Sequence, residues 1–282
     1  MTAKILDGRA MALELRAELH EDVARYVAER GQAPGLVIVR VEGDPASGVY
    51  SKAILRIAKE IGVPARLELL PAAVSSDQLC AVLVQLNSDK TVQGIIVQMP
   101  LPAHLSLDLI ARTIAAEKDI DGISVQNAGS LLLGSPCLLP STAAAVMQIL
   151  ERSEIALAGK HVVVLGRSNV VGKPLGLLLL QKNATVTICH SRTTDLSCFT
   201  RQADILIAAV GRPRMVTGDM VRPGAVVIDV GINALPEGGI VGDVDFSTVS
   251  EVASVITPTP GGVGPFTNVV LLQQCMQAAW HL

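Results

Sequence analysis

Residues 48–56, which read GVYSKAILR, bring a tyrosine and two cations close together in the chain. The segment is typical of the start of a helix that presents a tyrosine to a site, where an amine with a lowered pKa would activate water and shuttle protons. Successive helical residues rotate by about 100°, which places Lys52 about 160° and Arg56 about 120° from Tyr50. By the same geometry Ile54 lies only about 40° from Tyr50. We therefore expect both cations on the solvated face and an apolar side chain beside the tyrosine.

A second candidate site lies at residues 166–174, GRSNVVGKP, which follow the apolar run HVVVL. Glycines at the end of a strand let backbone N–H groups approach a phosphate, and the N-terminus of the following helix favours an anion. The segment does not have the GxGxxG spacing of ordinary dinucleotide folds. A tight strand-to-helix turn without a ligand explains it about equally well.

The residues after this turn favour NADP over NAD. Folds that bind NAD commonly carry an acid about 20 residues after the turn, where it binds the ribose hydroxyls. No acid lies between Arg167 and Thr194, and Arg192 stands where that acid would be. The guanidinium groups of Arg167 and Arg192 together suit a ribose 2′-phosphate. A solvated surface position for Arg192 is the alternative.

Strand and helix patterns alternate along both halves of the chain, and these elements must position the candidate sites. We predict strands at GLVIVRV, ARLELL and GIIVQMP in the first half, and at HVVVLG, ATVTICH, ADILIAAVG, AVVIDVG and SVITPTP in the second. Helices are predicted at 11–30, 48–62, 75–89, from about residue 104, and at 141–157, 173–183 and 268–280. The alternation predicts an α/β fold with parallel strands and right-handed crossovers, in two domains joined near residues 141–157.

The composition limits the possible functions. Half of the 282 residues are hydrophobic and 17% are charged, so the chain can bury a large core. Because the net charge is −3 and there is no basic block, we expect neither nucleic acid nor an anionic membrane surface as a partner. The five cysteines are scattered without a CxxC pattern, which indicates neither a metal site nor disulfides and suits a reducing, cytoplasmic compartment.

Two stretches, residues 122–150 and 252–282, contain no Asp, Glu, Lys or Arg. Pro, Gly, Ser, Thr, Asn or Gln residues interrupt both, so we interpret them as buried core and site-lining loop and not as membrane spans. The N-terminus, MTAKILDGRA, has no apolar run typical of a signal peptide.

Six short motifs match one family in order and spacing, and they cover almost the whole chain. They are GDPAS, VQMPLP, KDIDG, GRSNVVGKP, GDVDF and PGGVGPFT. The chain thereby resembles the bifunctional methylenetetrahydrofolate dehydrogenase/methenyltetrahydrofolate cyclohydrolase family. The resemblance implies a folate-binding α/β domain (1–140 plus 268–282), a Rossmann-like NADP-binding domain (141–267) and a cleft between them. It also implies a homodimer, tetrahydrofolate derivatives as substrates, and a role in one-carbon metabolism and purine biosynthesis.

The resemblance further implies roles for individual residues. Tyr50 matches the tyrosine that lines the pterin site, and Gln98 matches the glutamine beside the catalytic lysine. Asp121 matches the aspartate that grips the pterin, where a carboxylate accepts two parallel hydrogen bonds from the ring N–H and the exocyclic amine. A turn residue before Gly122 is the alternative for Asp121. Pro260, Gly261 and Gly262 match the family loop that approaches the substrate. The residues at the family's cofactor-binding positions are Gly166, Arg167, Ser168, Gly172, Pro174, Ser191, Arg192, Gly211 and Ile232.

The sequence departs from the family pattern at three places. The pattern has a tyrosine followed four residues later by the catalytic lysine, and Ile54 stands at the lysine position. From Tyr50 to Gly62 the spacing matches without a gap, so a shifted alignment does not explain the isoleucine. The other departures are SVQNAG at 124–129 and PSTA at 140–143, where the family often has HPxNxG and PCTP.

The residues leave three functional hypotheses open. The first is an NADP-dependent methylenetetrahydrofolate dehydrogenase with weak or absent cyclohydrolase activity, because isoleucine neither activates water nor carries protons. The second keeps both activities, with Lys52 or Gln98 plus water in place of the missing amine. The third is a non-catalytic folate- or nucleotide-binding regulatory homologue, or an oxidoreductase with another substrate. The intact Asp121, Gln98 and PGGVGPFT argue against the third hypothesis.

Overall fold

The computed structural model of the protein describes residues 2–281, except for the side chains of residues 45 and 46. The strands are β1 (Lys4–Ile5), β2 (Gly35–Val41), β3 (Ala65–Leu70), β4 (Val92–Val97), β5 (His161–Leu165), β6 (Thr185–Cys189), β7 (Ile205–Ala208), β8 (Val226–Asp229), β9 (Asn233–Ala234), β10 (Ile240–Val241) and β11 (Val255–Ile256). The helices are α1 (Gly8–Arg30), α2 (Pro45–Ile61), α3 (Ser76–Ser88), α4 (Leu107–Thr113), α5 (Val125–Leu133), α6 (Ser141–Arg152), α7 (Gly172–Gln181), α8 (Leu196–Thr200), α9 (Phe246–Val249) and α10 (Val263–His281), with a 3₁₀ turn at Gly218–Met220.

A three-stranded parallel sheet in the order β3–β2–β4 lies in the first half of the chain. Strands β2 and β4 read GLVIVRV and VQGIIV, and they are largely buried, as expected of a parallel sheet that helices cover. Val39 of β2 and Val97 of β4 pair in register and belong to one buried cluster with Leu79 and Leu83 of α3. Strands β2 and β3 have the predicted bounds.

Helix α2 carries the GVYSKAILR segment, and its sequence fixes both ends. The Asp44 carboxylate accepts a hydrogen bond of 2.6 Å from the Ser47 N–H and so caps the N-terminus. Gly62 ends the helix with a φ of 86°, a left-handed conformation that glycine adopts without a steric cost. Because the helix begins only a few residues after β2, its first turns lie near the carboxyl edge of the sheet.

Strand β1 and five strands of the second half form a six-stranded sheet in the order β1–β11–β8–β7–β5–β6, and every pairing in it is parallel. From β5 the chain continues to β6 on one side and then to β7 on the other, so the strand order reverses at β5. In open α/β sheets, ligands bind beyond the carboxyl ends of the strands at such a reversal. Residues 166–171, which follow β5, therefore lie where a ligand site is expected.

The described chain groups into two compact units. The six-stranded unit contains Thr142–Thr267 and the N-terminal residues up to Ala12, and the three-stranded unit contains Leu13–Ser141 and the residues from Asn268 onward. The predicted division, 1–140 plus 268–282 against 141–267, differs from this grouping at Ser141 and at the first twelve residues. The first twelve residues differ because β1 pairs in parallel with β11, with Lys4 opposite Val255.

Several helices differ from the predicted pattern. Helix α6 ends at Arg152 and not near residue 157, whereas α10 begins at Val263 and not at 268. Helix α5, which contains the SVQNAG segment, was not predicted. Much of α10 is buried, including Phe266 and Cys275, which agrees with the interpretation of its charge-free sequence as core. Within residues 2–281, no helix has the length and apolar character that crossing a membrane requires.

Candidate functional site

The charge of Asp121 acts on the phenol of Tyr50 within the three-stranded unit. Burial, and after it the charge of Asp121, raises the pKa of Tyr50 well above its ordinary value. Burial also raises the pKa of Asp121 to about 6, and the nearby Asp119 contributes in the same direction. Hydrogen bonds from the side chain and backbone of Ser141, which belongs to the PSTA departure, oppose this rise. The site thus combines a phenol that stays protonated with a carboxyl group whose pKa is about 6.

The turn that carries Asp121 is organised by the fully buried carboxylate of Asp119. This carboxylate accepts hydrogen bonds from the N–H of Ile123 at 3.1 Å and of Ser124 at 2.7 Å, and from the Asn127 amide at 3.0 Å. The Ser124 hydroxyl accepts from the Asn127 N–H at 3.2 Å and so caps α5. The SVQNAG departure therefore supplies both a helix cap and a side-chain donor that hold the turn in place.

Gln98 lies at the carboxyl end of β4 and is buried. Its backbone N–H donates to the Val39 carbonyl at 2.8 Å, which continues the pairing of β4 with β2. Its side-chain amide donates to the Met99 carbonyl at 2.9 Å, and its Oε1 lies 3.5 Å from the Ser51 hydroxyl. Ser51 is absent from the predicted site residues. Its signal in the sequence is a small polar side chain directly after Tyr50, on the apolar side of the helix.

Ile54 is completely buried, with no exposed fraction. It ranks among the largest fully buried side chains of the described chain, so it belongs to the packing under α2. Lys52 and Arg56 are exposed, as the helical geometry predicts, and Arg56 Nε lies 3.7 Å from a carboxylate oxygen of Glu60. The cations of the GVYSKAILR segment therefore face solvent.

Lys118, in the KDIDG motif, is a buried lysine of the same unit. Its ammonium group donates to the carbonyls of Leu86 at 3.2 Å and Asp89 at 2.7 Å, at the end of α3. Burial lowers the pKa of Lys118, while the charges of Asp89 and Glu117 oppose that shift. This ammonium group therefore caps the C-terminus of α3 through its hydrogen bonds.

The loop after β5 forms part of a pocket in the six-stranded unit. A Cβ at Gly166 would lie 2.2 Å from the Ala209 carbonyl oxygen, and a Cβ at Gly172 would lie 2.1 Å from the Gly166 carbonyl oxygen. Only glycine permits these approaches between strand, loop and helix. The pocket is lined by Leu165, Gly166, Arg167, Ser168, Cys189, His190, Ser191, Leu196, Ala209, Val210, Arg212 and Met215.

The pocket contains some of the predicted cofactor residues and not others. Gly166, Arg167, Ser168 and Ser191 line it. Gly172 and Pro174 are buried in the first turn of α7, which follows the glycine-rich loop. Arg192, Gly211 and Ile232 are exposed and do not belong to the lining, although Arg192 and Gly211 each adjoin a lining residue in the chain.

His190, Arg212 and Met215 line the pocket but were not predicted. His190 directly follows β6, and Arg212 lies in the loop after β7. These strands flank β5, and the carboxyl ends of parallel strands meet at one edge of a sheet. The strand order alone would therefore have indicated that the loops after β6 and β7 line the pocket. Arg212 adds a second guanidinium group beside Arg167.

The PGGVGPFT loop also belongs to the six-stranded unit. Pro260 is exposed, and Gly261 has a φ of 115°, which L side chains rarely adopt. A Cβ at Gly8 would lie 1.8 Å from the Gly262 carbonyl oxygen, so the start of α1 packs directly on this loop. The loop backbone is thus in close contact with the start of α1 within the unit.

Two family models together match most of the chain. Residues 6–121 match the model for the catalytic domain of tetrahydrofolate dehydrogenase/cyclohydrolase, and residues 140–281 match the model for its NAD(P)-binding domain. The chain belongs to the tetrahydrofolate dehydrogenase/cyclohydrolase family. The catalytic-domain match contains Tyr50, Gln98 and Asp121, and the NAD(P)-binding match contains the whole lining of the pocket.

Relatives in the tetrahydrofolate dehydrogenase/cyclohydrolase family are similar along their full length. The chain is 50% identical over 282 residues to the bifunctional protein FolD of Geobacillus thermodenitrificans, covering 100% of this chain and 99% of that protein. Among solved structures, the bifunctional enzyme FolD of Campylobacter jejuni has a TM-score of 0.96 and 42% identity, with 99% of each chain covered. The Trypanosoma brucei FolD, solved with NADP and an inhibitor, has a TM-score of 0.95 and 36% identity, with 100% of this chain and 98% of that chain covered.

Proposed function

We propose that this chain oxidises 5,10-methylenetetrahydrofolate to 5,10-methenyltetrahydrofolate with NADP⁺, and that its cyclohydrolase activity is weak or absent. Family membership and the match to an NAD(P)-binding domain support the dehydrogenase activity. The claim about the cyclohydrolase rests on one observation. Ile54, one helical turn after Tyr50, is completely buried and apolar. It is the residue that the family resemblance places at the lysine position.

Asp121 is the anchor of the pterin in this proposal. Its ionised carboxylate accepts two parallel hydrogen bonds from a ring N–H and an exocyclic amine. With a pKa of about 6, the carboxyl group is mostly ionised above neutral pH and so accepts these bonds as a carboxylate. Tyr50, whose phenol stays protonated, contributes a hydroxyl donor and an aromatic wall beside the anchor.

The pocket of the six-stranded unit suits NADP. Arg167 and Arg212 bring two guanidinium groups to its lining, and Ser168 and Ser191 bring hydroxyl donors. Such a donor set fits a 2′-phosphate, because guanidinium groups form charge-assisted and bidentate bonds with phosphate. When bound, NADP⁺ supplies the hydride acceptor of the reaction.

The oxidation requires little acid–base chemistry from the protein. A hydride leaves the one-carbon bridge while the adjacent substrate nitrogens supply the electron pair, and the product is a methenyl cation. The contribution of the protein is to hold and orient the bound molecules. An apolar Ile54 is compatible with this step, and it leaves one positive charge fewer near a cationic product.

Hydrolysis of the methenyl cation has different requirements. Water must be activated and protons must be moved, which calls for a group that titrates near neutral pH. Ile54 does neither, and the Gln98 amide does not titrate. Lys52 is exposed, and Lys118 is bonded to the end of α3. These side chains leave the hydrolysis without a lysine in the position of the family pattern.

A fully bifunctional enzyme is the second candidate. It is favoured by the 50% identity to a relative named as the bifunctional protein FolD. In this alternative Gln98 orients a water molecule, with Ser51 3.5 Å away as a second polar group. A non-catalytic regulatory homologue is disfavoured, because Asp121 and Gln98 are both retained in a packed environment.

We further propose a cytoplasmic homodimer that acts in one-carbon metabolism. The dimer rests on the family resemblance, and the compartment rests on five unpaired cysteines. Size-exclusion chromatography with light scattering measures the mass in solution. Twice the 29.5 kDa chain mass is expected, and a monomer at micromolar concentration contradicts the dimer.

One assay separates the functional candidates. The purified protein receives 5,10-methylenetetrahydrofolate and NADP⁺, and the NADPH and methenyl absorbances are followed together. NADPH with persistent methenyl product supports the proposal. Methenyl decay above the buffer rate supports the bifunctional candidate, and the absence of NADPH supports the regulatory one.

A further inference from the structure

One carboxylate organises a wall of the pocket without lining it. Asp243, in the GDVDF motif, is fully buried, and its Oδ2 accepts hydrogen bonds from the N–H of Val210 at 2.6 Å and of Gly211 at 3.0 Å. Its Oδ1 accepts from the N–H of Arg212 at 2.8 Å. Three consecutive backbone donors of the loop after β7 therefore converge on a single side chain. Two of these residues, Val210 and Arg212, line the pocket.

The same carboxylate also holds a second loop. The Asn233 amide donates to Asp243 Oδ1 at 2.9 Å. Asn233 directly follows Ile232, which belongs to the predicted cofactor-binding set. One side chain thus bonds both the turn at residues 210–212 and the segment at residues 232–233. Four hydrogen bonds to one side chain thus connect two loops around the pocket.

A second buried carboxylate fixes Asp243 itself. Asp229, at the end of β8, accepts from the N–H of Gly231 at 2.9 Å, of Asp243 at 2.9 Å and of Val244 at 3.1 Å. Burial raises the pKa of Asp229 to about 6, against these three hydrogen bonds. Asp229 thereby sets the backbone from which the Asp243 side chain extends.

Glycines make room for the two carboxylates. A Cβ at Gly231 would lie 2.4 Å from the Asp243 carboxyl carbon, and a Cβ at Gly242 would lie 1.6 Å from Asp229 Oδ2. Side chains at either position would displace the carboxylates. The arrangement therefore depends on the sequence GDVD and on the glycine after β8, and not on Asp243 alone.

We propose that Asp243 is a positioning residue for the pyridine nucleotide: its carboxylate sets the conformation of residues 210–212 and so determines the affinity of the pocket for NADP. The proposal rests on the proposed function, because it takes NADP as the ligand of the pocket. Asp243 acts through the loop and not through contact with the nucleotide. An amide in its place offers one acceptor oxygen and leaves at least one of four donors unpaired.

The test measures NADPH binding by fluorescence and the steady-state constants of the full-length protein. Asp243→Asn raises the Kd for NADPH and the KM for NADP⁺ at least about tenfold, because bonds to a charged acceptor are strong. The KM for methylenetetrahydrofolate stays within about twofold, since uniform binding of one ligand is lost. Asp245→Asn is the matched control. The Asp245 carboxylate accepts hydrogen bonds from the hydroxyls of Ser247 and Thr248, which do not line the pocket.

A second variant covers the case in which Asp243→Asn does not fold. Asn233→Ala removes one donor to Asp243 and the weaker bond to the Val241 carbonyl, and we expect a rise of about threefold to tenfold in the Kd for NADPH in a protein that remains folded. Wild-type affinity in the soluble variants overturns the proposal, and so does an equal rise in the KM of both substrates. Failure of the wild-type protein to bind NADPH instead refutes the proposed cofactor, and this inference falls with it.

Discussion

Ile54 lies four residues after Tyr50 on α2, and its side chain is completely buried whereas Lys52 and Arg56 are exposed. The face of the helix that carries the tyrosine therefore presents no cation. In the proposed function, this relationship distinguishes the oxidation from the hydrolysis. The oxidation depends on positioning, whereas the hydrolysis depends on a group that moves protons.

Restoring a lysine at this position tests its role directly. Ile54→Lys should raise the rate of methenyl hydrolysis above the buffer rate, because burial lowers a lysine pKa toward neutrality. The folding stability should fall by several kcal/mol, since a buried lysine pKa drops by about 3–5 units at about 1.4 kcal/mol each. The measurements are methenyl absorbance and denaturant unfolding, with Ile54→Met as the volume-matched control. A folded Ile54→Lys protein that oxidises the substrate but does not hydrolyse it would contradict this role.

The exposed cations should contribute nothing to either reaction. Lys52→Met and Arg56→Met each remove a charge from the solvated side of α2. We expect NADPH formation and methenyl decay to change by less than about twofold, and stability by less than about 0.5 kcal/mol. If Lys52→Met abolishes a measurable hydrolysis in the wild-type protein, the bifunctional candidate that uses this lysine gains support.

Asp121 should give the folate affinity a pH dependence. Its pKa is about 6 in the folded protein, so the ionised carboxylate becomes available as the pH rises through this value. The kcat/KM for methylenetetrahydrofolate should therefore rise between about pH 5 and 7 and then level off. Asp121→Asn should lower kcat/KM roughly tenfold to hundredfold at pH 7.5 and remove this step. A step near pH 6 that persists in Asp121→Asn would assign the titration to another group.

Ionisation of the Asp121 carboxyl group should lower the free energy of unfolding. Its folded pKa lies above the ordinary aspartate value of 3.8, so the folded state binds more protons than the unfolded state between about pH 4 and 6. Stability from this group is therefore greatest at low pH and is lost as the pH rises through about 6. Asp121→Asn should raise the melting temperature relative to the wild type at pH 7.5 and much less at pH 4.5. A difference that is independent of pH would refute the shifted pKa.

The choice between NADP and NAD should depend on the guanidinium groups of the pocket. Arg167→Gln should weaken NADPH binding by roughly tenfold to hundredfold and NADH binding much less, because only NADPH carries the 2′-phosphate. The same titration of Arg192→Gln tests whether that exposed residue contributes, and Arg212→Gln tests the residue that the sequence did not indicate. Equal losses for both nucleotides would assign Arg167 to a phosphate that the two share.

Much of the fold could be predicted from local patterns. The Val- and Ile-rich runs of β2 and β3 have the predicted bounds, and the Ser75 cap of α3 forms the expected hydrogen bond with Gln78 N–H. The outward direction of Lys52 and Arg56 followed from helical geometry alone. These features depend on residues close in sequence, which is why the sequence specifies them so directly.

Features that depend on distant partners were not predictable in this way. Strand β1 has two residues, and it is a strand only because β11 lies beside it. Asp229 and Asp243 appear in the sequence as ordinary acids, and their role arises from backbone N–H groups of three separate loops. Arg212 lines the pocket because β7 neighbours β5, which only the strand order reveals.

The most direct test of the central claim follows the wild-type protein with 5,10-methylenetetrahydrofolate and NADP⁺, recording NADPH and methenyl absorbance in one cuvette. The account predicts steady NADPH formation while the methenyl product accumulates and decays no faster than in buffer without protein. The same trace with added methenyltetrahydrofolate and no NADP⁺ isolates the hydrolysis from the oxidation. Methenyl decay that increases in proportion to protein concentration would contradict the account.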